Sequence, residues 1–440
     1  MILKRIGQGA WRGRMHPGVR QATGVLAATS AANGLNYLFH VVVSRLLGPS
    51  EYGVLVSLLA LFLILSLPIN LIQTVIANYA AQFRLKGMTG KLKTLFLSSS
   101  KKVLIYGGLM TAVFMLLSGM VADFLQVPTV IPVLITGTIV LPSFLLPVAT
   151  GVLQGSERFS AFSALFLVAG VSRFLFGGVL VFLGLGAAGA LAGSALSQTV
   201  TLLLAVVLLS QVLRQKGEPH GISSFSAYRY SLRTLLGFLA FTILTNIDVP
   251  IVKHFFTPQE AGYYGAASTL GKTVLLASVA VTYVMFPKSV HNHARNGETG
   301  PLFRQAVAAT ALMSGGAALV LFLLPSLAVN ILFGSQYEAV IPLVGPFALA
   351  MSLYAVLNVV LFYYLSIENT VFVALLLVSA FLEAGLLWAF HAGLVQVVLV
   401  LAAVALFSLL VSELVCRGLT GRRRPVPTGG VSLITPTGTG

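Results

Sequence analysis

Charge is what this chain has least of. Only 9% of its 440 residues are charged, against roughly a quarter in a soluble domain. Acids are scarcer still, 11 Asp and Glu beside 27 Lys and Arg. With 57% apolar residues and a mean hydropathy of +0.95, such a chain cannot cover a water-facing surface and belongs in a bilayer. Cysteine is almost missing too: the single Cys416 excludes an internal disulfide and a cysteine-based metal cluster. There is no Walker loop, no glycine-rich turn opening a helix after a strand, and no His or Cys group at ligand spacing. His291 and His293 stand two apart with no third ligand near them in sequence. No cofactor or metal is therefore expected.

What is present is a succession of long apolar runs. Crossing a hydrocarbon core of about 30 Å takes about 20 helical residues. On that rule the chain holds about twelve spans, near 23–45, 53–80, 102–122, 130–153, 160–183, 187–210, 233–254, 265–287, 304–327, 340–365, 370–391 and 393–416. Backbone donors in lipid must be satisfied within their own segment, which makes the spans helices. The expected fold class is an all-α polytopic membrane protein, with two six-helix bundles around a central cleft. The first residues resemble the basic start of a signal peptide, but the apolar run behind them is interrupted by polar residues and has no convincing cleavage site. It is read as a retained first helix.

Basic residues set the orientation. Lys4, Arg5, Arg12, Arg14 and Arg20 precede the first span, and Arg84, Lys86, Lys91, Lys93, Lys101 and Lys102 follow the second. Arg158, Arg214, Lys288, Arg304 and Arg417 mark later loops on that side, whereas Arg45 and Lys253 fall opposite. By the positive-inside rule both termini are cytoplasmic, and the basic excess reflects topology rather than a nucleic-acid partner. The expected divisions are a basic arm 1–22, an N-terminal bundle 23–210, a linker 211–232, a C-terminal bundle 233–416 and a disordered tail 417–440 rich in Pro, Gly and Thr. Outer loops are no longer than roughly a dozen residues, too short for the active site of a membrane polymerase or ligase, so an enzyme is not expected.

The chain also repeats itself. RLLGPSEYG at 45–53 is echoed by HFFTPQEAG at 254–262, each with a Pro, a Glu and a Gly in register. Phe83-Arg84 is matched by Ala294-Arg295, and Ser156-Glu157-Arg158 by Ile367-Glu368-Asn369, all at an offset of about 210 residues. Six spans per half is an even number, so the halves share one orientation and are related by a pseudo-twofold along the membrane normal. The runs NYLFHVVVSRLLGPSEYGVLVSLLAL (36–61), QGSERFSAF (154–162) and NIDVPIVKHFFTPQEAGYYGAAS (246–268) resemble bacterial oligosaccharide and polysaccharide flippases. These are a branch of the superfamily that also holds multidrug and toxic-compound extrusion (MATE) antiporters and lipid II flippases. The resemblance runs from about Arg20 to Arg417. It implies translocation of a polyprenyl-diphosphate-linked oligosaccharide from the cytoplasmic to the outer leaflet of a bacterial inner membrane, with a glycan polymerase or glycosyltransferases as pathway partners. A multidrug or cation antiporter of the same superfamily is the alternative.

Ionisable groups inside spans carry the chemistry, because a charge at the bilayer centre costs about 2.5–3.5 kcal/mol even on the mildest scale. Arg173 is about 16 Å from either end of its span, too deep to snorkel. Its fork suits a diphosphate, or alternatively an ion pair with Glu383. Lys272 is the next candidate for a cationic cavity. Arg45 and Lys253 extend the set, although reaching to outer headgroups also explains them. Asp248 and Glu383 are candidates for coupling to H⁺ or Na⁺, Asp248 having a local pair with Lys253 as its other reading. The resemblance adds that drug-extruding relatives often place a cation-binding acid in span seven. His40 is a third titratable candidate or a packing residue. Tyr264 and Tyr354 belong to a set of tyrosines able to stack on sugars.

Overall fold

The computed structural model describes residues 17–420 apart from 67, 215, 219–224, 295–296, 298 and 368. Most of the basic arm, the centre of the linker and the tail beyond 420 lie outside the described residues, as do Arg295 and Glu368 of the echoes. Among the described residues the regular structure is helical, with no strand.

The N-terminal half comprises α1 (Pro17–Leu65), α2 (Pro68–Leu85), α3 (Thr89–Leu116), α4 (Ser118–Phe124), α5 (Ile131–Gly155), α6 (Phe159–Phe182), α7 (Gly186–Leu208) and the short α8 (Ser210–Leu213). The C-terminal half comprises α9 (Phe225–Asn246), α10 (Asp248–Phe255), α11 (Pro258–Gly271), α12 (Leu276–Ala294), α13 (Gly300–Leu323) and α14 (Pro325–Leu332). It ends with α15 (Ile341–Ser366), α16 (Thr370–Ala389) and α17 (Leu394–Thr420). A 3₁₀ turn, Lys272–Leu275, joins α11 to α12. Prolines open several helices, Pro258 and Pro325 among them, because their fixed φ fits the first turn and no intrahelical donor is lost there. Pro142, Pro147 and Pro346 stay inside helices, whereas Pro68 begins α2.

Among the described residues ten helices are long and apolar enough to cross a membrane, or eleven if the pair Gly90–Leu116 and Ser118–Phe124, bent by 55°, is one span. Twelve spans were expected, and the difference lies in α1. Its backbone leaves helical geometry at Gly48 (φ 72°, ψ 173°). His40 and Tyr52 would be about 18 Å apart along an unbroken helix, yet their side chains are hydrogen-bonded at 3.1 Å. The chain therefore reverses at Gly48, and α1 holds the first expected span and the start of the second. A positive φ is open to Gly without steric cost, so the repeat motif is a helix–turn–helix corner.

Outward positions are apolar. Leu116, Phe182, Leu312 and Phe381 are among the most exposed side chains, the reverse of a soluble surface. The protein is a multi-pass membrane protein. Inside the N-terminal half, α1 packs on α6, and α2 and α3 pack on α5. Small residues at the α6–α7 crossing let the two helices approach closely: a Cβ on Gly193 would collide with the Gly177 backbone. In the C-terminal half α15 is the central helix, touching α11, α12, α13 and α17.

The two corners of the repeat meet face to face. A Cβ added to Gly53 would lie 2.8 Å from the Gly262 nitrogen, and one added to Gly262 would strike the Pro49 carbonyl. Around this crossing the halves are laced together. Arg45 donates to the carbonyls of Asn330 and Ile331 at the end of α14. Gln336 donates to the Arg45 carbonyl at 3.0 Å, and Tyr337 to the Ser44 carbonyl at 3.0 Å. Nearby, His254 donates to the Phe124 carbonyl at 2.6 Å, and Gln126 returns a hydrogen bond to the His254 carbonyl at 2.8 Å.

Candidate functional site

Below this seam a cavity of about 390 Å³ separates the halves. From the N-terminal half it is lined by Asn36, His40, Arg173, Ser194, Ser197 and Gln198, with apolar side chains of α1 between them. Asn246, Ser268, Thr269 and Lys272 line it from the C-terminal half.

Arg173 projects from α6. Its Nε donates to Ser194 Oγ at 3.2 Å, one Nη donates to Asn36 Oδ1 at 3.2 Å, and the guanidinium stands 4.5 Å above the Phe39 ring. These neighbours are neutral. They fix the fork by dipoles and a π face without cancelling its charge. The pairing with Glu383 weighed from sequence is not what the fold makes. Glu383 is fully buried on α16, where it accepts a short hydrogen bond from Tyr354.

Lys272 stands on the C-terminal wall. Its Nζ lies 3.3 Å from Asn246 Oδ1 and 3.9 Å from Asp248 Oδ1. Asp248, at the start of α10, pairs with Lys272 instead of the nearby Lys253, and its other oxygen accepts from the Tyr264 hydroxyl at 2.8 Å. Tyr264 and Tyr354, two of the tyrosines able in principle to stack on sugars, are thus buried partners of the two acids. Asp248 and Glu383 lie behind the cavity wall and do not line it.

Arg45 and Lys253 are corrected. Neither lines the cavity. Arg45 is exposed and caps the C-terminus of α14, where carbonyls without intrahelical partners attract a cation. Lys253 does not reach out to headgroups: it is 1% exposed, held in the packing of α10 against α1, where the Glu51 carboxylate acts on it. Glu51 itself caps α7, accepting from the Ala187 amide at 2.8 Å.

His40 does line the cavity, and its Nδ1 lies 3.1 Å from the Tyr52 hydroxyl, which in turn is 3.0 Å from Thr269 Oγ1 of the other half. Sequence reading missed Asn36, Ser194, Asn246, Tyr52 and Thr269. They carry no charge, and polar residues of this kind are common in spans. One usable signal was that Asn36 and Asn246 begin two of the three runs that resemble flippases.

Solved structures share this arrangement of helices. An inward-facing multidrug resistance MATE family transporter of the MOP superfamily superimposes with a TM-score of 0.74 at 14% identity, covering 92% of this chain and 100% of that one. The lipid II flippase MurJ, in an inward closed conformation, gives 0.66 at 14% identity over 89% and 87%. An outward-facing MATE family transporter gives 0.56 at 13% identity over 92% and 96%. No curated protein sequence matches. Residues 42–342 match the family described as polysaccharide biosynthesis protein. The chain belongs to that family, and the expected kinship with flippases and MATE transporters is borne out in the fold.

Proposed function

We propose that the protein moves a polyprenyl-diphosphate-linked oligosaccharide from the cytoplasmic to the outer leaflet of a bacterial inner membrane, both termini being cytoplasmic. The observation that carries this reading is the pair of cations on opposite walls of one cavity, Arg173 from the first half and Lys272 from the second. A diphosphate between them is held by both halves at once, so its binding favours their closing around it. Arg173 supplies a planar fork for two parallel charge-assisted hydrogen bonds, and Lys272 a mobile point charge. Asn36, Ser197, Gln198 and Thr269 offer hydrogen bonds to sugar hydroxyls beside the diphosphate. The lipid tail stays among the apolar helices, and glycosyltransferases and a polymerase act before and after the crossing. Asp248 and Glu383 are the groups through which an H⁺ or Na⁺ gradient drives the cycle.

The multidrug alternative is less well supported, because a cationic drug entering this cavity meets Arg173 and Lys272, with both acids behind the wall. The deciding experiment replaces Arg173 by Ala and by Gln and follows a labelled lipid-linked oligosaccharide across proteoliposome membranes, with protein recovery matched. Transport falls by at least about tenfold in both, the equivalent of about 1.4 kcal/mol. Unchanged transport in either variant removes Arg173 from the mechanism.

A further inference from the structure

Lys272 has two claims on its charge. Its side chain is 23% exposed and faces the cavity, yet it is the cation paired with Asp248, which is 1% exposed. That pair is loose: at 3.9 Å it is an ion pair without a hydrogen bond, and Asp248 Oδ1 is buried with no hydrogen-bond partner. The other oxygen is held by Tyr264. One side of a buried carboxylate is therefore compensated by a lysine that also faces the cavity. Lys272 begins the 3₁₀ turn between α11 and α12, where the regular ladder is broken and a small shift is easiest. Its four-carbon stem is flexible.

We infer that Lys272 is a shared counter-ion that changes partner. With the cavity empty it neutralises Asp248. When a diphosphate enters, the ammonium turns to the anion, and Asp248 takes up one monovalent cation, a proton or Na⁺, in its place. The inference rests on the diphosphate reading above and adds the sign of the coupling: anion and cation load together. The alternative, a bare carboxylate in this setting, is strongly disfavoured because a buried charge stripped of its partner has no water to replace it. The titratable groups facing Asp248 are Lys272 and Tyr264, with Glu383 and Tyr354 acting from α16 and α15. Tyr264 keeps its hydrogen bond in either state. Glu383 also has one buried oxygen without a hydrogen-bond partner, but its other oxygen is held by Tyr354 and the ion pair of Lys272 is with Asp248, so Asp248 is the group uncovered when Lys272 leaves.

The test uses the purified full-length protein in detergent. Farnesyl diphosphate is titrated by calorimetry in buffers of different ionisation enthalpy, at two pH values, with Na⁺ or choline as the supporting cation. In the wild type, affinity rises by up to about tenfold per pH unit lowered, with proton uptake, or by about tenfold per decade of Na⁺. Asp248→Asn binds the same ligand but loses this dependence, leaving what the ligand's own protonation contributes. Lys272→Gln binds more weakly and loses it as well, because its Asp248 is already loaded. Glu383→Gln keeps it. The exchange is overturned if the wild type is indifferent to both cations, if Asp248→Asn behaves as wild type, or if Glu383→Gln is the variant that loses the dependence. Binding without linkage removes the exchange alone, whereas a folded wild type that ignores farnesyl diphosphate overturns the diphosphate reading too.

Discussion

At the scale of single residues, the bond between His40 and Tyr52 has a direction. Thr269 donates its one hydroxyl proton to the Gly265 carbonyl at 2.8 Å. All the contacts are satisfied only if Tyr52 donates to Thr269 and His40 Nδ1–H donates to Tyr52. The imidazole therefore carries a proton on Nδ1. Removing the hydroxyl with Tyr52→Phe leaves a half-buried N–H without its acceptor and breaks a link between the halves. The cost expected is about 1–3 kcal/mol, seen as a lower thermal midpoint of the purified protein, with His40→Phe, Tyr52→Phe closer to wild type than the single change. Arg173 and Lys272 were legible in the sequence because charges in apolar runs are rare. Tyr264 and Tyr354 were misread because a tyrosine looks the same in sequence whether it faces a sugar or an acid. Only packing decides, and it put both hydroxyls against carboxylates.

Among the elements, two helix ends break a habit. Gln126 and Glu157 hold positive φ, 49° and 54°, at C-terminal turns where Gly87, Gly184 and Gly334 do the same task elsewhere. A side chain in that region costs about 1 kcal/mol, and each of the two has a reason to be retained. Gln126 reaches across the seam to His254, and Glu157 pairs with Arg84, joining the ends of α5 and α2. The Arg84–Glu157 pair is half exposed, so it is worth about 0–1 kcal/mol. The ordering of thermal midpoints should be Glu157→Gly at or above wild type, and Glu157→Ala at or below it. An Ala variant more stable than the Gly variant would mean that backbone strain is not what the glycine relieves. Helix existence and the repeat corners were readable from apolar run length and the Pro–Glu–Gly pattern. The breaks at Leu117 and at Lys272–Leu275 were not, since no Pro or Gly marks them from within.

Across the whole molecule, the halves are tied at the end that carries Gly48 and separated by the cavity below it. The tie is backbone against backbone at Gly53 and Gly262, and a colliding carbonyl cannot step aside as a flexible side chain does. Gly262→Ala is therefore expected to part the seam. Spin labels on Leu46→Cys and Ile331→Cys, in a background with Cys416→Ser, would report it as a longer and broader distance distribution than in the parent. An unchanged distribution would show that the corner yields elsewhere. The sequence made the paired corners at 45–53 and 254–262 legible. It could not foretell which faces meet, because every span is apolar on most sides and periodicity has little contrast to work with.

That the corners of the two repeats touch one another has a consequence for ancestry. A patch that meets its own counterpart is the mark of a self-complementary joint, the kind two identical subunits form around a twofold axis. A single unit carrying such a surface would be able to pair with a twin. The two halves are nonetheless unlike in charge, Arg173 lying in one and Asp248 and Glu383 in the other.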